Sequence, residues 1–287
     1  MTTTRDRADL CPGVFRPWPA DDGALIRLRP VGGRMSTQAL LDLVAVAERY
    51  GDGRVHITSR ANLQLRALPL DDGRVPDEVV AAVEATGLLP SRSHELVRNI
   101  MASPQTGIAG GRANLAPVAA QLDRLLCADP RLAELPGRFL FVLDDRGDLL
   151  DRALDLGVVA INGASGQLRI GSDAWGAVLP LARVPRALVH LAHRFLDARG
   201  DGPGAAWHVD ELAVRLEPPC DRYACTPPVE SPLPEGPVAG GLHLIADDGA
   251  VDRALAERAV TQSAAAANHV VVVTPWRGLL VPDRIVR

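Results

Sequence analysis

Residues 23–68, GALIRLRPVGGRMSTQALLDLVAVAERYGDGRVHITSRANLQLRAL, decide the fold. Residues 23–29 (GALIRLR) alternate apolar and polar as a strand does, and Gly32-Gly33 then breaks the chain. Ser36 can cap the apolar-periodic stretch TQALLDLVAVAERY, which Gly51-Asp52-Gly53 ends. RVHITSRANLQLRAL follows as one extended segment, its valine, isoleucine and threonine suited to a strand. PDEVVAAVEATG reads as the next helix, closed by Gly87. This β-α-β-α order predicts an α+β unit of the ferredoxin-like kind, with helices on one side of a sheet.

Outward from this stretch, a second unit begins after SPQTG. It predicts a helix over LAPVAAQLDRLLCA, a strand over RFLFVLDD, a turn at Arg146-Gly147-Asp148 and short strands at GVVAI and GQLRIG. The helix RVPRALVHLAHRFLDARG stops at Gly200. Residues 217–238 are so proline-rich that they read as an extended linker through which neither helix nor sheet runs. Beyond it the opening unit begins again: GGLHLIADDG repeats strand and turn, AVDRALAERAVTQSAAAA the helix, and HVVVVTPWRGLLV the second extended segment. A gapless shift of 217 positions lays Leu25 on Leu242 and Arg60 on Arg277. The organisation read here is therefore 1–100, 101–216, the linker 217–238, and a partial repeat over 239–287.

A formal net charge of -4 offers no broad basic field for nucleic acid. All 31 basic residues are arginine, so Schiff-base chemistry is excluded and anion recognition must use guanidinium groups. No apolar run approaches the roughly 20 residues of a membrane helix, and MTTTRDRADLCPG lacks a signal-peptide core, so a cytoplasmic protein is expected. Four cysteines (Cys11, Cys127, Cys220, Cys225) are too few and too scattered for a disulfide framework. Cys127 falls on an apolar helix and reads as a structural thiol, which leaves Cys220 and Cys225 as weak candidates for metal ligands. His190 and His193 stand three apart on a helix, a spacing that suits a surface or core pair better than a metal site. Walker, H-E-x-x-H and G-x-S-x-G motifs are absent, and GIAGG at 107–111 is a weak phosphate signal.

If 54–68 is one strand, Arg60, Asn62, Gln64 and Arg66 share a face. Such a row suits a ligand with several carboxylates, or a solvated face paired to Asp and Glu. Arg98 in LVRNIMASP and Arg138 in LPGRFLF are further candidates beside small or polar neighbours.

Three segments in order, ITSRANLQLR, VRNIMASPQTG and LPGRFLF, resemble motifs of the nitrite and sulfite reductases. CPGVFRPWPADDGALIRLRPVGGRMS and VVTPWRGLLVPD are similar to the precorrin-3B synthase branch of that superfamily, which serves cobalamin biosynthesis. The resemblance implies a ferredoxin-like half-domain, an αβ tetrapyrrole-cradle domain, and then a partial second half. It implies that Arg60, Asn62, Gln64, Arg66, Arg98, Asn99 and Arg277 bind a polycarboxylate tetrapyrrole such as precorrin-3A, with Arg138 in a catalytic lysine's place. Leu140 stands where sulfite reductases carry a second lysine, which argues against six-electron reduction. Relatives hold a [4Fe-4S] cluster with iron or sirohaem, but the cluster's ligand motif is not found in this chain, and the resemblance runs out before the cluster-binding domain. The implied function is a monooxygenase-type oxidoreductase. Its alternatives are a tetrapyrrole-binding partner subunit, with a second polypeptide supplying the cluster domain, and a subunit of a sirohaem-dependent reductase.

Overall fold

The computed structural model describes residues 9–284, so residues 1–8 of the stretch examined for a signal peptide lie outside it, as do residues 285–287. The chain divides into two compact units. Pro12–Glu95 joins Pro232–Arg287 in one, and Leu96–Ser231 joins the residues before Pro12 in the other.

The opening segment forms β1 (Trp18–Ala20), β2 (Gly23–Leu28), the short β3 (Arg34–Ser36), α1 (Thr37–Tyr50), β4 (Val55–Ile57), β5 (Leu63–Leu68) and α2 (Asp77–Ala85). Helix α1 starts where expected because Ser36 Oγ accepts the Ala39 amide at 3.0 Å, satisfying one of the first-turn donors. Its Leu40, Leu43 and Val44 are fully buried, each contributing about 1.5–3 kcal/mol by leaving water. The extended segment over 54–68 is not one strand. The chain turns at Thr58–Asn62, where Thr58 N donates to Asn62 O at 2.9 Å and Ala61 takes a left-handed φ of 55°. Arg60 and Asn62 therefore leave the row expected with Gln64 and Arg66, since a reversal of direction ends the two-residue alternation. A second left-handed residue, Ala67 at φ 54°, bulges β5 against β2.

The intervening unit holds β6 (Ile100–Ala102), α3 (Ala116–Ala128), β7 (Phe141–Asp144), β8 (Leu156–Ala160), β9 (Ser165–Ile170), β10 (Trp175–Pro180) and α4 (Val184–Ala198). Its sheet runs β10-β9-β8-β7-β6, parallel across β6-β7-β8 and antiparallel beyond. Strand β8, LGVVA, is buried along its whole length, as a central strand covered on both faces must be. Phe139 packs against Phe141 and Phe195 with ring centroids 5.2 and 4.8 Å apart, tying α4 to the sheet.

The chain returns with β11 (Gly236–Val238), β12 (Gly241–Ile245), β13 (Ala250–Val251), α5 (Arg253–Ala265), β14 (Val270–Thr274) and β15 (Gly278–Pro282). The repeat is thus present as strand, helix, strand. Its register corrects the sequence reading by one residue. Gly33 answers to Gly249 (φ 72° and 73°), the cap Ser36 to the cap Asp252, and Thr58 to Thr274, a shift of 216. Arg277 consequently matches Ala61 and Arg60 matches Trp276, which side-chain identity alone could not reveal. The copies also exchange edges: β3 pairs with β14 of the later copy, and β13 pairs with β4 of the earlier one. The sheets run β1-β2-β5-β4-β13 and β11-β12-β15-β14-β3, and their apolar faces share one core with α1 and α5.

The linker expected over 217–238 is extended but pinned, and its last residues form a strand. Cys220 N donates to Trp175 O at 2.7 Å, Gln167 Nε2 to Asp221 O at 2.8 Å and Glu230 N to Gly147 O at 3.1 Å. Pro237 is tolerated in β11 because that strand lies at the sheet edge, where a missing N–H breaks no ladder.

Candidate functional site

Within the repeated unit the site begins at the turn between β4 and β5. Thr58 Oγ1 accepts the amides of Arg60 and Asn62 at 3.3 and 3.1 Å, which holds Arg60 at the tip and buries Asn62. The twin turn between β14 and β15 uses the same device, with Gly278 N donating to Thr274 Oγ1 at 3.2 Å. There Arg277 occupies the left-handed position and is exposed. Downstream on β5, the Gln64 amide oxygen takes the Arg27 guanidinium at 2.7 Å in the orientation that satisfies both groups. Arg66 Nη2 lies 3.3 Å from Asp22, with both side chains more than 40% exposed at 42% and 45%. Such a solvated ion pair is worth under about 1 kcal/mol and exchanges readily for another carboxylate.

Within the second unit Arg98 and Asn99 are buried. Arg98 grips Asp123 of α3 through two bonds of 2.6 and 3.0 Å. Its guanidinium thereby ties α3 to the segment leading into β6. Asn99 Nδ2 donates to Phe139 O at 3.3 Å, and Asn99 O accepts the Phe141 amide at 2.9 Å. Asn99 thus holds the turn that carries Arg138, which is exposed just before β7 rather than inside a strand. Leu140 is buried with Met101, Val142, Leu149 and Leu154, so a charged residue there would lie in apolar surroundings.

The sequence reading missed a buried acidic cluster joining SPQTG to the turn after β7. Ser103 Oγ lies 2.6 Å from Asp148 Oδ1 and 3.2 Å from Asp144 Oδ1, and it accepts the Asp145 amide at 3.2 Å. Asp144 Oδ1 also accepts the Arg146 and Gly147 amides at 3.0 and 2.7 Å, the reason DDRG turns where it does. Burial pushes the Asp148 carboxyl up to about 7 and Asp145 up to about 6, with the neighbouring carboxylates acting in the same direction. The signal was present as three aspartates within five residues of a predicted turn. Gly111 packs directly on the Asp145 carboxylate, which makes the GIAGG loop a poor seat for phosphate.

The cysteines do not converge. Cys220 and Cys225 are exposed, Cys11 and Cys127 half-buried. The Cys225 carbonyl accepts the Arg112 guanidinium. Among the described residues no three His, Cys, Asp or Glu side chains are placed to hold a metal ion. The residues present therefore do not fit a [4Fe-4S] cluster, which needs four thiolates. His193 instead bonds Asp129 at 2.7 Å, joining α4 to the end of α3, while His190 is exposed. No helix among the described residues is long and apolar enough to cross a membrane.

Residues 19–73 match the family described as the nitrite/sulfite reductase ferredoxin-like half domain. A precorrin-3B synthase from a Sinorhizobium species is 39% identical over 67 residues, 23% of this chain and 15% of that protein. A ferredoxin–nitrite reductase of Leptolyngbya laminosa is 38% identical over 108 residues, 37% of this chain and 21% of that protein. The matched stretches thus span less than a quarter of these relatives. The structure of NirA from Mycobacterium tuberculosis superposes with a TM-score of 0.69 over 96% of this chain and 60% of NirA, at 19% identity, a likeness of fold. Residues 19–73 thus match the nitrite/sulfite reductase ferredoxin-like half domain, in a chain whose fold is like that of NirA over 60% of NirA's length.

Proposed function

We propose that the chain binds a polycarboxylate tetrapyrrole of the precorrin-3A type and serves a precorrin-3B synthase-like oxidoreductase. The observation that carries this reading is the placement of Arg60 and Arg66 on the β4–β5 hairpin, inside the matched half domain, with Arg66 held only by an exchangeable surface pair. Guanidinium groups suit acetate and propionate side chains because they pair with carboxylates in a planar, bidentate fashion. Arg277, on the twin turn, and Arg138 are the other arginines assigned to carboxylates; Arg98 is a structural residue in this account. Arg60→Ala and Arg66→Ala should each weaken binding of a uroporphyrin-type ligand by about 1.5–3 kcal/mol, the range for charge-assisted bonds. Absorbance titration measures this, and unchanged affinity in both variants contradicts the assignment.

The cysteine geometry favours a second reading, in which this chain is the tetrapyrrole-binding partner of a separate redox polypeptide. Any cluster would draw ligands from outside the described residues, and no redox step is assigned to this chain's own side chains. Iron and sulfide analysis after anaerobic purification separates the two. About four of each per chain supports the self-contained oxidoreductase, and none with binding retained supports the partner subunit.

A further inference from the structure

The TPWR stretch at 274–277 forms the turn between β14 and β15, and a buried histidine underlies it. His243 of β12 is fully enclosed, and both of its ring nitrogens are bonded. Nδ1 lies 3.0 Å from the Pro234 carbonyl oxygen, which can only accept, so the proton of the neutral ring sits on Nδ1. Nε2, 3.0 Å from Thr274 Oγ1, is then an acceptor for the threonine hydroxyl. With its proton given to His243, that hydroxyl accepts the Gly278 amide at 3.2 Å and closes the turn. Burial holds the imidazole below its ordinary pKa and keeps it neutral, against the weaker pull of the Glu235 carboxylate. Leu280 of β15 stands opposite the ring in the sheet, and Trp276 meets it edge-on with centroids 6.4 Å apart. Gly278 leaves room for the imidazole, because a Cβ there would lie 2.4 Å from Nε2. In the first copy Arg27 holds the position of His243 and bonds Gln64 instead.

We infer that His243 is a positioning residue for Arg277, holding the β14–β15 turn in the shape that presents the exposed guanidinium to a ligand carboxylate. Arg277 has a φ of 59°, a left-handed conformation that a residue with a Cβ keeps only where its surroundings fix it. Three supports fix it here. Thr274 Oγ1 accepts the Gly278 amide, the Arg277 carbonyl accepts the Ala246 amide at 3.0 Å, and the Arg277 stem lies over Gly249, where a Cβ would stand 2.8 Å from Cδ. Of the three, the Thr274 link depends on a side chain that titrates. A proton on Nε2 would replace its acceptor by a donor, and the buried threonine hydroxyl would lose the partner for its own proton. The role rests on the proposed assignment of Arg277 to a ligand carboxylate.

Two measurements on the full chain test this. Nitrogen-15 histidine spectra, with the His243 signals assigned by their loss in His243→Gln, should show Nδ1 protonated and Nε2 bare at pH 7, with titration below the ordinary value of 6.5. Uroporphyrin affinity, read by absorbance, should fall at least about tenfold in Arg277→Ala and at least about threefold in the near-isosteric Thr274→Val. In the Arg277→Ala background Thr274→Val should weaken binding no further, a coupling that general loosening of the fold would not produce. A ring protonated on Nε2 at pH 7, or a Thr274→Val loss that persists in full without Arg277, overturns the role of His243 alone. Failure of the wild type to bind uroporphyrin, with the Nδ1 tautomer in place, overturns the ligand reading and the role of His243 with it.

Discussion

Arginine 98 shows how much burial alters the meaning of a motif residue. Its sequence surroundings assign it to a ligand, yet its guanidinium is buried against Asp123 with both bonds made. Arg98→Ala should therefore cost roughly 3 kcal/mol of stability, because it strands a carboxylate that is largely enclosed. Urea denaturation measures this, and a variant as stable as the wild type would return Arg98 to the ligand. Asp148 behaves oppositely: burial favours its neutral form. An acid whose folded pKa is raised to about 7 from an ordinary value of 3.8 stabilises the fold relative to its ionised state only at low pH. That contribution is lost progressively as pH rises from about 4 to about 7, where the unfolded chain ionises and the folded one does not. Asp148→Asn should flatten this loss, gaining stability over the wild type at pH 8 but not at pH 4. Parallel pH profiles in denaturant titrations would show that the cluster is not strained by charge.

At the scale of elements, the exchanged strands make the strictest demands. Gly33 has a φ of 72°, and a Cβ there would collide with the Val273 carbonyl of the strand that β3 pairs with. Its counterpart Gly249, with φ 73°, would meet only the flexible Arg277 side chain. Gly33→Ala should cost more than about 2 kcal/mol and Gly249→Ala about 1 kcal/mol, since both carry the left-handed penalty and only the first adds a backbone clash. Equal melting temperatures for the two variants would contradict the exchange. Helix α1, its Ser36 cap and the strand-helix-strand repeat were legible because capping and periodicity are local. The turn at Thr58–Asn62 was not, because ITSRANLQL contains no glycine or proline and relies on Ala61 at φ 55°. The short β1, β3, β6 and β13 were also illegible: two or three residues carry no period, and their pairing is settled by partners distant in sequence.

For the whole molecule, the fold could be read from three motifs in order, whereas the site could be read only as a set of arginines whose neighbours were unknown. Burial then separated Arg98, enclosed against Asp123, from the exposed Arg138 and Arg277 and the half-exposed Arg66, a distinction no spacing contains. The proposed function requires this chain to recognise a tetrapyrrole through its carboxylates. The direct measurement is absorbance titration of the full chain with uroporphyrin and, in the same buffer and detergent, with its fully esterified form. Saturable binding of the acid, weakened by salt and at least about tenfold tighter than the ester, is the predicted result. Equal affinity for acid and ester, or no saturable binding of either, would contradict it.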